Sequence, residues 1–249
     1  MPTKSNYNAR LTVPTRVRGD KLGSHTRTVL FDLDGTLINT TDLILQCFQF
    51  SWSTVCGFEH TRETLLETFG TPLRDAMYRL LLSKDSREKF MSAHTQDSIV
   101  EELIGSYRAF NALNHDTLAR PFDGTREVLT ELRRRGYMVG VVTSKGRELG
   151  LRGLKLCSLD DLIDSAVFLE DTAAHKPHPE PILAALRKLV TDAGSAVYVG
   201  DSKHDMIAAH AAGVRTVGAL WGPSPRTSLE QEAPTFVAES IRDLLHIFN

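Results

Sequence analysis

The chain has 249 residues, of which 41% are hydrophobic, so it can bury one core of ordinary domain size and a smaller second one. It carries 29 basic and 31 acidic residues, and this balance lacks the one-signed field typical of proteins that bind nucleic acids or membrane surfaces. No apolar run reaches the roughly 18 residues that a membrane-spanning helix needs. We therefore expect small-molecule chemistry, with neither nucleic acid nor membrane as a partner.

The first 27 residues differ from the rest, because they contain six basic side chains against Asp20 alone and no apolar run that could form a signal-peptide core. A transit peptide would also be rich in arginine, but this segment lacks amphipathic periodicity. We therefore predict a disordered basic tail over residues 1–26. The three cysteines, Cys47, Cys56 and Cys157, are odd in number and form no CxxC pair, which favours the reducing cytoplasm.

After the tail, short apolar runs alternate with segments of helical period. The first run predicts a strand that begins at Arg27. The later runs predict strands at 137–144, 165–168, 195–201, 214–220 and, more weakly, 235–240. The helical segments between them include TREVLTELRRR, PEPILAALRKLV and KHDMIAAHAA. This alternation predicts an α/β fold of three layers, with a parallel sheet between two layers of helices.

The interval from 42 to 118 breaks the alternation, because it offers successive helical segments and no credible strand. We predict an inserted cap of four helices, whose apolar stripes pack against one another as a small bundle. The core domain then comprises residues 27–41 and 119–249. Pro121 and Gly124 mark the return of the chain to the sheet.

Polar side chains stand at the ends of the predicted strands, where ligands bind in a doubly wound sheet. Asp32 and Asp34 follow the first strand, and Asp201 and Asp205 follow the fourth. Clustered carboxylates repel one another and lose hydration, so a divalent cation is their simplest partner. Oxygen ligands from Asp32, Asp201 and the backbone carbonyl of Asp34 predict a Mg²⁺ site.

The same residues can transfer a phosphoryl group. A carboxylate that approaches a phosphate dianion meets a repulsion of roughly 4 kcal/mol per charge pair at about 4 Å, which Mg²⁺ and the Lys176 ammonium would cancel. Asp32 could then attack phosphorus and form an aspartyl-phosphate, while Asp34 protonates the leaving oxygen and later takes a proton from water. The Thr143 hydroxyl and the backbone N–H groups near Ser144 and Asp34 could hold phosphate oxygens.

The loop DGTL connects the first strand to the cap. Gly35 lets the chain turn there, and the Thr36 hydroxyl can form a hydrogen bond that fixes the acid. We predict that both residues lie at the substrate site.

Four segments resemble, in order and spacing, the four motifs of the haloacid dehalogenase-like phosphatases. They are FDLDGT (31–36), VVTS (141–144), Lys176 within HKPHPEP, and VGDSKHD (199–205). The resemblance implies a Rossmann-like core with strand order 5-4-1-2-3, which brings the first and fourth strand ends together. It also implies that the helical insert is a cap that closes over small substrates.

The resemblance implies that Asp32 is the nucleophile and a metal ligand and that Asp34 is the acid and base. It implies phosphate binding by Thr143, charge stabilisation by Lys176 and metal binding by Asp201. Asp205 would orient Lys176 or support the metal shell. The aspartate at position 34 argues against the family's dehalogenases and phosphonatases, which lack it. Ser144 stands where this family often has asparagine, and this departure leaves the substrate open.

Substrate choice should depend on the cap, because the core holds only the transferred phosphoryl group. The cap segment FGTPLRDAM resembles the phosphoglycolate-phosphatase and pyrophosphatase branch of the family. We therefore predict cap contacts at Gly70, Pro72, Leu73 and Arg74, with Arg74 as the candidate for binding a second anionic group. Lys145, at the mouth of the site, is a further candidate contact.

The leading hypothesis is hydrolysis of a small phosphomonoester such as 2-phosphoglycolate. Hydrolysis of pyrophosphate by the same residues is the alternative, followed by phosphomutase activity and by a non-catalytic binding protein. The sequence leaves the oligomeric state open between a monomer and a homodimer.

Overall fold

A computed structural model describes residues 26–83 and 93–248, except for the side chains of 93–95. The predicted basic tail thus lies outside the described residues, apart from Thr26. The strands are β1 (Thr28–Phe31), β2 (Ile38–Asn39), β3 (Arg120–Pro121), β4 (Met138–Val142), β5 (Ser165–Val167), β6 (Ala196–Gly200), β7 (Arg215–Ala219) and β8 (Phe236–Ala238).

The α-helices alternate with these strands, except where α1 to α4 follow one another between β2 and β3. They are α1 (Thr41–Cys56), α2 (Arg62–Leu66), α3 (Leu73–Leu81), α4 (Ala93–Leu118), α5 (Thr125–Arg134), α6 (Arg147–Leu156), α7 (Glu180–Lys188), α8 (Lys203–Ala211), α9 (Arg226–Glu230) and α10 (Leu244–Ile247).

The main sheet has six parallel strands in the order β5-β4-β1-β6-β7-β8. The α/β class is confirmed, but the predicted order 5-4-1-2-3 is incomplete. It describes the run from β7 to β5, whereas β8, the weakest of the predicted strands, adds a sixth strand beside β7. Val217 and Phe236 are partners in this added pair, and both are buried, which explains why the sheet extends this far.

The sheet buries both faces because its strands are apolar on both sides. Val29 and Phe31 of β1 belong to one apolar cluster, which includes Leu129 of α5. Leu30, between them in sequence, belongs to the opposite cluster with Ile182 of α7. Alternate residues of a strand point to opposite faces, so this division corresponds to a three-layer core.

The helices α1 to α4 have an apolar cluster of their own, with fully buried Trp52, Met77 and Leu103 in α1, α3 and α4. Helix α4 extends beyond the predicted segment at both ends, while α2 is shorter than predicted. This separate cluster agrees with a helical cap over 42–118, and the domain boundaries stay a prediction.

A short antiparallel ribbon joins the two chain segments that enter and leave these helices. Ile38 of β2 pairs with Pro121 of β3, and Asn39 pairs with Arg120. The sequence did not predict this ribbon, because two residues are too few for a strand pattern. The ribbon keeps both ends of the helical insert side by side on the edge of the core.

Within the described residues, no helix is long and apolar enough to cross a membrane.

Candidate active site

Three aspartates from two neighbouring strand ends form a buried cluster. Asp32 follows β1, Asp201 follows β6, and Asp205 lies in the first turn of α8. Strands β1 and β6 are hydrogen-bonded neighbours, with Phe31 opposite Val199. This pairing brings one carboxylate oxygen of each aspartate within 4.8 Å of the others.

Lys176 supplies the positive charge of this cluster. Its ammonium lies 2.9 Å from Asp32 Oδ1 and 2.6 Å from Asp205 Oδ1, and it also donates to the Val142 carbonyl and the Tyr198 hydroxyl. Burial alone would lower the pKa of Lys176, but attraction to Asp205 and Asp32 outweighs it, so the net shift is upward. Lys176 therefore remains a cation although only 3% of it is exposed.

Asp205 has two structural tasks at the start of α8. Its Oδ2 accepts hydrogen bonds from the backbone N–H and hydroxyl of Ser202, at 3.0 and 2.6 Å, and the Ser202 hydroxyl accepts from the Asp205 N–H. This reciprocal capping box fixes the carboxylate, whose other oxygen binds Lys176. Burial raises the pKa of Asp205, but Lys176 and the hydrogen bonds from Ser202 together outweigh it, so the net direction is downward.

The other two carboxylates are short of positive charge. Burial raises the pKa of Asp32 to about 7, against the attraction of Lys176, and burial together with the nearby Asp205 and Asp32 raises the pKa of Asp201. When all three acids are ionised, their charge of minus three faces one ammonium. A buried excess of negative charge is costly, and a divalent cation would balance it.

The surroundings of Asp201 fit a metal ligand. The Thr36 hydroxyl donates to Asp201 Oδ1 at 2.9 Å, which holds the carboxylate in place. Glycine backbones from two loops approach it closely: a Cβ on Gly35 would lie 2.7 Å from both oxygens, and one on Gly222 would lie 2.3 Å from the Asp201 Cβ. Three hard oxygen donors around one point suit a divalent cation. The backbone carbonyl of Asp34 stays a predicted further ligand.

Asp34 is not a member of this cluster, but it lines the same cavity as Asp32 and Asp201. Its carboxylate accepts a hydrogen bond from Thr40 at 2.8 Å and lies 2.8 and 3.1 Å from the Lys145 ammonium. The loop that carries it turns at Gly35, which has a φ of +86°, and Leu37 and Ile38 donate to the Leu33 carbonyl. Asp34 and Asp32 thus face one space from the same loop while they hold different partners.

Thr143 and Ser144 end β4 at the same edge. The Thr143 hydroxyl accepts from the backbone N–H of Lys145 at 3.1 Å, and only 5% of Thr143 is exposed. The Ser144 hydroxyl donates to the carbonyl of Gly70 at 3.0 Å. Ser144 therefore connects the core to the loop before α3, a link that the sequence did not predict.

A cavity of about 230 Å³ lies between these strand ends and the helices α1, α3 and α4. The predicted residues Asp32, Asp34, Gly70, Leu73, Thr143, Ser144, Lys145, Lys176 and Asp201 line it. Its wall on the helical side is largely apolar, with Ile44, Phe48 and Phe69. A concave, mostly apolar cavity of this size with a few charged groups suits a small ligand.

Two predicted cap contacts do not reach the cavity. Pro72 is absent from its lining, and Arg74 is an exposed side chain that pairs with Glu101 of α4. The structure therefore gives no support to Arg74 as an anion contact. Its partner lies in another helix, so this pairing could not be read from the local sequence.

Arg108 and Asn111 of α4 line the cavity, and sequence reasoning missed them. The apolar residues at 99, 103, 104, 107 and 110 identified one side of this helix as a packing face, but they did not show which remaining face meets the site. The available signal was the spacing of three between Arg108 and Asn111, which places both on one face of a helix.

Comparison with known proteins agrees with this fold. The family model of haloacid dehalogenase-like hydrolases matches residues 29–219, and the chain belongs to this family. It is therefore a hydrolase of the family that its motifs resemble, and its curated relatives include pyrophosphatases.

Among curated relatives, pyrophosphatase PpaX from Bacillus cereus (strain Q1) is 38% identical over 222 residues, which cover 89% of this chain and 96% of that protein. Pyrophosphatase PpaX from Bacillus thuringiensis (strain Al Hakam) has the same identity and coverage.

Solved structures share the fold. A predicted phosphoglycolate phosphatase from Haemophilus somnus 129PT superposes with a TM-score of 0.81 at 24% identity, covering 91% of this chain and 100% of that chain. The β-phosphoglucomutase from Clostridium difficile has a TM-score of 0.72 at 16% identity, covering 90% and 97%. At these identities the likeness concerns the fold alone.

Proposed function

We propose that the protein is a Mg²⁺-dependent phosphatase that attacks a small phosphate ester or anhydride with the carboxylate of Asp32. The observation that carries this proposal is the buried cluster of Asp32, Asp201 and Asp205 around the single ammonium of Lys176. Such an arrangement is short of positive charge at the point where a phosphoryl group would bind, and it opens onto a cavity of small-molecule size.

The metal would be held by Asp32 and Asp201, with the backbone carbonyl of Asp34 and support from Asp205. All these donors are hard oxygens, for which Mg²⁺ is well suited, and no histidine or cysteine belongs to the described cluster. When bound, Mg²⁺ supplies charge that offsets the repulsion between Asp32 and the phosphoryl oxygens.

The residues themselves divide the reaction. An oxygen of Asp32 bonds to phosphorus as the bond from phosphorus to the leaving oxygen breaks, and Asp34 gives its proton to that oxygen. Water then attacks phosphorus and gives a proton to Asp34, while the bond between phosphorus and the Asp32 oxygen breaks and inorganic phosphate forms. Lys176 and the Thr143 hydroxyl hold phosphoryl oxygens, while Lys145 keeps Asp34 aimed at the leaving group.

Pyrophosphate is the first substrate to test. The curated relatives that are 38% identical over 89% of this chain are pyrophosphatases, so we place pyrophosphate ahead of 2-phosphoglycolate. A small phosphomonoester remains the second candidate, because the core contacts serve either compound and the cavity of about 230 Å³ suits both.

The test is a substrate panel of pyrophosphate, 2-phosphoglycolate and sugar phosphates, assayed for released phosphate with Mg²⁺ and with EDTA. We expect turnover that EDTA and Asp32→Asn both abolish, and a phosphorylated peptide containing Asp32 after rapid quenching. The matched control is Asp123→Asn, which changes a carboxylate that is 95% exposed. Full activity of Asp32→Asn would falsify the mechanism.

The same panel separates the remaining alternatives. A phosphomutase would move phosphate between positions of a sugar without releasing it, and a binding protein would retain ligands without turnover. We further propose a cytoplasmic location, because the three cysteines of the sequence are odd in number and form no CxxC pair. Monomer or homodimer is decided by light scattering of the full chain.

A further inference from the structure

Arg108 differs from the other cations of the cavity. It lies on α4, lines the same cavity as Asp32 and Asp34, and is exposed. Among the described residues it has no hydrogen-bond or ion-pair partner, whereas Arg74, the arginine predicted for this site, pairs with Glu101. An arginine that lines a cavity and has no carboxylate partner can bind a ligand there.

The charge balance of the cavity lining gives this observation its weight. Lys176 is shared by Asp32 and Asp205, and Lys145 is paired with Asp34. The carboxylate of Glu170 accepts hydrogen bonds from the backbone N–H of Arg147, at 2.9 and 3.2 Å. Within the described lining, Arg108 is thus the cation that no acidic side chain neutralises.

Asn111 gives independent evidence for a ligand on the same helical face. It is 3% exposed and lines the cavity one turn beyond Arg108. Its amide nitrogen donates to the Cys47 sulfur at 3.6 Å, while its carbonyl oxygen is buried without a partner. Buried polar atoms are rarely left unpaired, so a bound molecule or a water that accompanies it is expected beside this residue.

We propose that Arg108 binds the second anionic group of the substrate while its reacting phosphoryl group lies at Asp32. The substrate is then a small phosphoryl compound with a second phosphate or carboxylate, since the guanidinium fork matches either group. This inference rests on the proposed function, because it places the phosphoryl group at Asp32. It assigns to Arg108 the role that the sequence predicted for Arg74.

Binding of unreactive analogues tests the assignment without turnover. Calorimetry with Mg²⁺ compares methylenediphosphonate, which has a second anionic group, with methylphosphonate, which lacks one. We expect Arg108→Gln to weaken the binding of methylenediphosphonate about tenfold, as for one lost charged hydrogen bond. The same variant should change the affinity for methylphosphonate less than about twofold. Arg108→Lys should lie between the wild type and Arg108→Gln, because it keeps the charge but loses the fork.

The matched control is Arg62→Gln, another cap arginine whose side chain is 55% exposed and lies 3.8 Å from Asp42. Arg62→Gln should leave the affinity for both analogues unchanged. Equal weakening of the two analogues by Arg108→Gln, or no change in either, would overturn the assignment.

Kinetics then distinguishes failure of this inference from failure of the proposed function. For Arg108→Gln, kcat/KM should fall about tenfold with pyrophosphate or 2-phosphoglycolate and less than twofold with ethyl phosphate. Equal loss on all three substrates overturns the role of Arg108 while the phosphatase stands. If the wild type hydrolyses no substrate, the proposed function fails, and the analogue binding still decides whether Arg108 selects the second anion.

Discussion

Lys176 and Asp32 are 144 residues apart in sequence, yet the ammonium lies 2.9 Å from the carboxylate, and both side chains are almost completely buried. Lys176 lies between β5 and α7, and its ammonium also donates to the carbonyl of Val142 at the end of β4, the strand that pairs with β1. The contact with Asp32 places the fixed cation of the site beside the proposed nucleophile, so stability and catalysis depend on the same pair.

Removal of this cation should destabilise the protein as well as inactivate it. Lys176→Met leaves Asp32 and Asp205 buried without their partner, and loss of one member of a buried ion pair costs about 3–5 kcal/mol. The free energy of unfolding, measured with urea, should fall by that amount. In the control Lys188→Met, the lysine is 43% exposed and pairs with Asp171, so the change should stay below about 1 kcal/mol. Similar losses in both variants would contradict this account.

Asp34 should matter most for substrates with poor leaving groups. Asp34→Asn cannot donate a proton, so we expect kcat to fall by about 10²–10⁴ for alkyl phosphates. Aryl phosphates leave without protonation and should lose much less. The measurement is a series of esters ordered by the pKa of the leaving alcohol. A loss of equal size across the series would remove the acid role from Asp34.

Metal binding should become more stabilising as the pH rises. Because burial raises the pKa of Asp32 from 3.8 to about 7, the folded metal-free protein holds this proton more tightly than the unfolded chain, and its stability falls as the pH rises through that window. The pKa of Asp201 is raised as well. The pKa of Asp205 is lowered, so its contribution to the pH dependence of stability lies below its ordinary pKa of 3.8. Mg²⁺ binds the ionised carboxylates and offsets this loss.

The measurement is Tm with Mg²⁺ and with EDTA at pH 5 and pH 8. We expect the increase caused by Mg²⁺ to be larger at pH 8 by at least about 3 °C, which corresponds to about 1 kcal/mol for a protein of this size. Asp32→Asn should reduce the difference between the two pH values. An equal increase at both pH values would rule out proton release from these acids on metal binding.

Gly35 should tolerate no side chain, because a side chain there would strain the backbone and also collide with Asp201. Its φ of +86° disfavours any other residue, and an added Cβ would lie 2.7 Å from the Asp201 oxygens. Gly57 is the matched control, since its φ is +70° and an added Cβ would meet nothing within 4 Å. Both alanine variants should lose about 1–2 kcal/mol from the left-handed backbone.

Only Gly35→Ala should also raise the Mg²⁺ concentration for half-maximal activity, by about tenfold or more, because it displaces Asp201. A metal titration of both variants checks this. The same Mg²⁺ requirement in the two would show that the collision with Asp201 has no effect on the metal site.

The meeting of Asp32 and Asp201 could be predicted from the sequence, because topology alone determines their positions, while the roles of these residues stay predictions. Asp32 and Asp201 each follow a buried strand, and parallel strands end at one edge of the sheet, so their meeting needed no side-chain detail. Lys176 lies in a loop, and its place was implied by the family motif rather than by its local pattern.

The cap side was predicted less well, since helical periodicity identifies the packing face and leaves the orientation of the other faces open. Arg74 and Arg108 are both exposed arginines on amphipathic helices, and nothing local separates them. The packing of α4 against the other helices turned Arg108 toward the cavity and placed Glu101 beside Arg74. The sixth strand was uncertain for a similar reason, because three residues acquire strand character only from their neighbour β7.

The ribbon formed by β2 and β3 has a consequence for how specificity could change. The chain leaves the core at Asn39 and returns at Arg120, and these two residues are paired neighbours. Both covalent connections of the helical insert therefore lie at the same place on the core. A different insert with the same two ends could be grafted there without altering the order of the main sheet. If the core catalyses and the helical insert selects the substrate, as we propose, the two parts can diverge independently.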